Sequence, residues 1–194
     1  MPGQRLFLVL LAALVVGGCA ANATSAGEDG TADPRVDAVP PRVSGSVPPL
    51  HPSVDDYPDG TIRLVAPSGQ TVTVEAKVAN TPPRRQHGLM EVPALPGGVG
   101  MLFVFPEDRG TGFLSSGGFW MKNTLVPLDV AFVGFDGEIK AILHMEPCTS
   151  WPCPVYDPGQ PYRYALEVPG GWYEQVGVGL GWQLELPAGL PPSS

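Results

Sequence analysis

LDVAFVGFDGEIKAILHM, residues 128–145, decides the fold. Two apolar, β-rich runs flank Asp136–Gly137, and an Asp-Gly pair so placed is the strongest short-range signal for a β-hairpin. Side chains alternate along a strand, so Leu128, Val130 and Phe132 share one face and Asp129, Ala131 and Val133 the other. Ala131 and Val133 are apolar too, so the second face is either covered or lines a pocket. Asp129 therefore stands where an unpaired carboxylate is expensive.

Outward from the hairpin, the same grammar repeats. IRLVA (62–66) and QTVTVEAKVA (70–79) bracket a Pro-Ser-Gly turn and predict another hairpin. TPPRRQHGLM (81–90) predicts a short helix, with Thr81 as N-cap, prolines in the first turn and a stop at Gly88 or just after. VGMLFVF (99–105) is a buried strand, and DRGTGFLSSGG (108–118) a glycine-rich loop. Residues 147–161 form a long proline-bearing loop with Cys148 and Cys153. YRYALEV (162–168) and GWQLEL (181–186) are strands, separated by GGWYEQVG, room for one or two helical turns. The expectation is a mainly β or α+β domain: a small curled sheet or barrel of short antiparallel strands with two short helices.

The domain occupies residues 60–188, followed by a tail over 189–194. Ahead of it, residues 1–18 carry one cation, Arg5, and an apolar core from Leu6 to Val16, which suits a secretory signal segment and is too short for a spanning helix. The segment ends in VGGC (16–19), which resembles a bacterial lipoprotein signal box and implies diacylglycerol on Cys19. A plain signal peptide with an incidental cysteine is the alternative. Residues 19–59, rich in Pro, Ala and acids, predict a disordered tether with a coil reach of about 35 Å. The expected location is extracytoplasmic, lipid-anchored to the bacterial cell membrane.

From Cys19 onward ten Lys and Arg face nineteen acids. No basic patch exists for a phosphate backbone, which sets nucleic acid aside as a partner. Cys148 and Cys153 remain once Cys19 carries lipid, and an even pair in an exported chain reads as a disulfide. Four intervening residues and no further cysteine disfavour a redox or metal pair.

Four segments in order, RRQHGLM (84–90), GMLFVF (100–105), FWMKNTLVPLDVAFV (119–133) and LEVPGGWYEQVGVGLGWQL (166–184), resemble the conserved blocks of the domain of unknown function 192 family. The resemblance implies a small, predominantly β domain, often exported, with no established activity. The FLSSGG insertion and the cysteine-bearing loop depart from the family pattern.

Candidate site residues are Arg85, Lys122, Asn123 and Asp129, which with Thr124 and Arg84 predict one polar cluster beside the sheet. That cluster is either a pocket for a polar or anionic ligand or a structural network around Asp129. Glu167, on another strand, offers a second carboxylate, and the pair suggests acid–base work on a sugar if they meet across the sheet. Met90, Met101, Met121 and Met145 raise a soft-metal (copper) carrier, though each lies in an apolar context where methionine fills the core. His87 and His144 are weak metal candidates, and Ser115 and Ser116 lack a nucleophile motif. Trp120, Trp151, Trp172 and Tyr173 could stack on a sugar, with burial the ordinary fate of Trp120 and Trp172. The reading these support is a membrane-anchored lipoprotein whose domain binds a small polar or anionic envelope ligand or a partner protein. No cofactor or metal is implied, and catalysis by a carboxylate pair stays as the alternative.

Overall fold

The computed structural model describes residues 47–109, 117–148 and 150–190. The signal segment, Cys19, the tether as far as residue 46, Ser115, Ser116 and residues 191–194 lie outside the described residues.

Among the described residues, nine strands and two helices follow in chain order: β1 (Asp59–Val65), β2 (Thr71–Ala79), α1 (Pro82–His87), β3 (Val99–Arg109), β4 (Phe119–Trp120), β5 (Leu128–Val133), β6 (Ile139–Met145), β7 (Val155–Tyr156), β8 (Tyr162–Pro169), α2 (Trp172–Val176) and β9 (Gln183–Glu185). Seven form one sheet in the order β6-β5-β8-β3-β2-β1-β9, and β4 pairs with β7 apart from it. Both predicted hairpins are present, β1/β2 and β5/β6.

The sheet is mixed, which corrects the expectation of antiparallel strands throughout: β2 and β3 run parallel. A parallel neighbour needs a crossover of a dozen or more residues, and the stretch between Ala79 and Val99, which carries α1, supplies it. The sheet curls without closing into a barrel. Its edges touch at one corner, where Glu138 bridges Gln183 and the Ile139 N–H donates to the Trp182 carbonyl at 2.8 Å.

Each face has its own core. On the inner face Ile62, Leu64, Val74, Val78, Leu102, Leu166 and Val168 pack with Trp172 and Tyr173 of α2 and with Trp182 and Leu184. On the outer face Met101, Phe103, Phe105, Leu128, Val130, Phe132 and Tyr162 pack beneath Leu89, Val92 and Met121. Apolar alternation on a strand with both faces covered explains why every residue of β5 is buried. Val54 and Tyr57 also join the outer core, so the chain from Val47 to Pro58 lies on the domain. The tether does not run to residue 59 as expected, because these two side chains find apolar surface, each worth about 1.5–3 kcal/mol on burial.

Candidate functional site

Alternation in FWMK settles the role of the lysine. Phe119 and Met121 turn toward the outer core, and Trp120 and Lys122 turn to solvent. Phe119 meets Phe103 and Phe132 edge-on, at centroid distances of 4.8 and 5.6 Å, and Tyr162 meets Phe132 and Phe105 at 4.8 and 5.5 Å. Such edge-to-face pairs add about 0.5–1.5 kcal/mol each beyond burial and fix the rings in place.

This cluster floors a pocket of about 450 Å³. Phe103, Phe105 and Pro106 of β3 form one side, Pro82, Arg85 and Gln86 of α1 another, and Gly117–Trp120 with Tyr162 the rest. The volume falls within the range of small-molecule sites. Gly118 is required here: a Cβ on it would lie 2.5 Å from Val155 Cγ1 and 2.8 Å from the Tyr156 carbonyl.

Arg85 is aimed by its helix. Its N–H donates to the Thr81 carbonyl at 2.9 Å, in an N-terminal turn that begins on Pro82 and Pro83. Its Nη1 donates to the Val104 carbonyl at 2.9 Å, and the guanidinium lies 5.4 Å from the Phe105 centroid. A guanidinium on a pocket wall has the geometry that suits a carboxylate or phosphate.

The predicted polar cluster does not assemble. Asp129 is on the inner side of β5 with Ala131 and Val133, while Arg85 serves the pocket on the outer side. The partners of Asp129 are instead His144, whose Nδ1–H donates to Oδ1 at 2.6 Å, and the Gly171 N–H, which donates to Oδ2 at 2.8 Å. That is the structural network weighed for Asp129, built with other groups. Lys122 is exposed, its ammonium 5.4 Å from the Trp120 ring centroid, and among the described residues it makes no ion pair. Asn123 is exposed with φ 58°, and its carbonyl accepts the Glu91 N–H at 2.9 Å. Thr124 is buried. Arg84 bonds Asn80 Oδ1 at 3.1 Å and covers the Tyr57 ring.

The carboxylate pair fails for the same geometric reason. Glu167 is opposite Met101 and Val130, both on the outer face, whereas Asp129 is on the inner one. A sheet stands between them, and one glycosidic bond cannot touch both. Burial pushes the Glu167 carboxyl up to about 8. His144 is raised from its ordinary value, chiefly by its hydrogen bond to Asp129.

Met101, Met121 and Met145 are 0–1 % exposed and fill the outer core with Leu89 and Phe132, as packing side chains do. Among the described residues no three of His, Cys, Asp and Glu gather for a metal ion. Cys148 and Cys153 are joined as a disulfide. Trp172 and Tyr173 are buried, but Trp120 is 37 % and Trp151 76 % exposed, against the expectation of burial for Trp120. Sequence reasoning missed the pocket because its walls come from four separate segments, and it missed His144 as the partner of Asp129.

The solved structures that resemble the chain include the following two. One is a protein of Sinorhizobium meliloti 1021 described as a candidate transcription regulator, 34 % identical, covering 67 % of this chain and 95 % of its own, with a TM-score of 0.60. The other is a protein of unknown function from Novosphingobium aromaticivorans DSM 12444, 26 % identical, covering 72 % of this chain and 93 % of its own, with a TM-score of 0.59. No curated protein matches in sequence. The family model DUF192, described as an uncharacterized ACR, matches residues 63–186, nearly the whole described domain, and the chain belongs to that family.

Proposed function

We propose that the domain is a binding module for a small ligand with an apolar or sugar-like body and an acidic substituent, presented outside the cytoplasm by a lipid anchor on Cys19. The observation that carries it is the Arg85 guanidinium, fixed by the Val104 carbonyl at the side of an aromatic pocket. Rings hold the ligand body by contact area, and the guanidinium selects the acid. Arg85 is the ligand-binding residue in this reading, and Asp129 has a structural role. The resemblance to a transcription regulator does not outweigh charge: at a net charge of −8 the chain repels a phosphate backbone.

Calorimetric titration of the full-length protein in detergent with benzoate tests the pocket. Binding is expected, with Arg85→Gln weaker by tenfold or more, since a charged hydrogen bond is worth about 1.5–3 kcal/mol. Equal heats from both proteins, or none from the wild type, would refute the reading.

A further inference from the structure

Beyond the rim of the Arg85 pocket, the solvent side of β4 carries exposed aromatic surface. The Trp120 and Trp151 rings lie 6.3 Å apart with their planes at 84°. Val155, directly opposite Trp120 on β7, is 60 % exposed. Lys122, two residues along from Trp120, lies over its ring and has no carboxylate partner among the described residues. Of the described lysines, Lys77 and Lys140 each contact a carboxylate, whereas Lys122, like Arg84 and Arg163, lies over an aromatic ring. In a chain of net charge −8, this face offers an ammonium with no carboxylate partner among the described residues, and two indoles, next to a pocket that holds a guanidinium. Trp120 belongs to both, since it also lines the pocket.

Exposed apolar surface of this kind marks a binding site, and its surroundings choose the occupant. The C–H face of a pyranose packs on an indole while its hydroxyls stay hydrated, and an acid on the ring answers Lys122. A bilayer fits less well, because the charged, exposed Lys122 lies over the Trp120 ring and the chain is acidic. We infer that Trp120, Trp151 and Lys122 form a second subsite, for a sugar ring linked to the acid seated at Arg85, so that the ligand class is an acidic oligosaccharide. The inference rests on the Arg85 pocket being a ligand site.

The experiment compares benzoate, galacturonate and tetragalacturonate by calorimetry on the full-length wild type and on the Trp151→Ala, Lys122→Gln and Arg85→Gln variants. Trp151 is exposed enough that its removal leaves the core intact, which a thermal melt checks. Wild type is expected to bind the tetramer at least tenfold more tightly than the monomer. Trp151→Ala should erase that gain, Lys122→Gln should reduce it severalfold, and neither should change benzoate binding. A tetramer bound no better than the monomer, or a gain indifferent to Trp151→Ala, overturns the subsite while benzoate still reports on the pocket. A Trp151 response to phosphatidylglycerol vesicles without any to the tetramer also overturns it and assigns the rings to a membrane. Loss of benzoate and sugar binding alike overturns both readings.

Discussion

Asp129 and His144 face each other directly across β5 and β6, with 2.6 Å between Oδ1 and Nδ1. The other carboxylate oxygen accepts the Gly171 N–H, where the chain enters α2. One buried side chain thus ties the second hairpin to the helix that plugs the inner core.

Asp129→Ala should destabilise the domain by about 1–3 kcal/mol in urea unfolding, because it leaves the part-buried Gly171 N–H without its acceptor and removes the contact with His144. Asp129→Asn should cost less. Lys122→Ala should be near neutral and additive with Asp129→Ala, since the two do not touch.

The pH dependence of that contact has a definite sign. The folded-state pKa of His144 lies above its ordinary value, so its stabilising contribution is full below about 6.5 and fades as pH rises through the raised value. The His144→Gln variant should lose the most stability relative to wild type at pH 5–6 and less at pH 9. Half the imidazole is exposed, so the effect should stay below about 1 kcal/mol. A gap between the two proteins that widens with rising pH would be the wrong sign.

Glu167 should act in another window. Its carboxyl is neutral in the fold up to about 8, against 4.5 for the free group, so between those values the unfolded chain has lost a proton the fold keeps. Stability from this group then falls as pH rises, at about 1.4 kcal/mol per pH unit, a total on the order of 3–5 kcal/mol. The Glu167→Gln variant should therefore gain on wild type steadily from pH 5 to pH 8. Parallel stability profiles would show that the carboxyl is not buried as described.

The Cys148–Cys153 disulfide should leave no free thiol at either residue without reductant, as alkylation and mass spectrometry would show. Its loop is short, so reduction should cost only about 1–3 kcal/mol. At the other end of the chain, Cys19→Ala should abolish lipid mass and release protein from membranes. A wild type with no lipid would remove the anchor from the proposal.

Much of the fold was legible because strand alternation and turn residues are local. Even the partner of Asp129 was within reach: a two-residue turn on Asp136–Gly137 sets 135 opposite 138 and, counting back, 129 opposite 144. The real turn closes from Gly134 N–H to the Glu138 carbonyl, and an irregularity beyond Phe132 restores that register. Closeness in sequence suggests one cluster for Lys122 and Asp129, but Lys122 faces solvent beside β4 and Asp129 faces the inner core. The parallel β2/β3 pair and the meeting of Arg85 with Phe103, Phe119 and Tyr162 depend on long-range topology, which no local pattern encodes.

The most direct test of the pocket is to map where an aromatic acid settles, using NMR of the full-length protein in detergent with increasing benzoate. Saturable shifts are expected of the Phe103, Phe119 and Tyr162 ring signals and of the Arg85 side chain, with the inner-core Trp172 and Tyr173 unmoved. Shifts confined to other residues, or none at all up to saturating benzoate, would contradict the ligand-site reading.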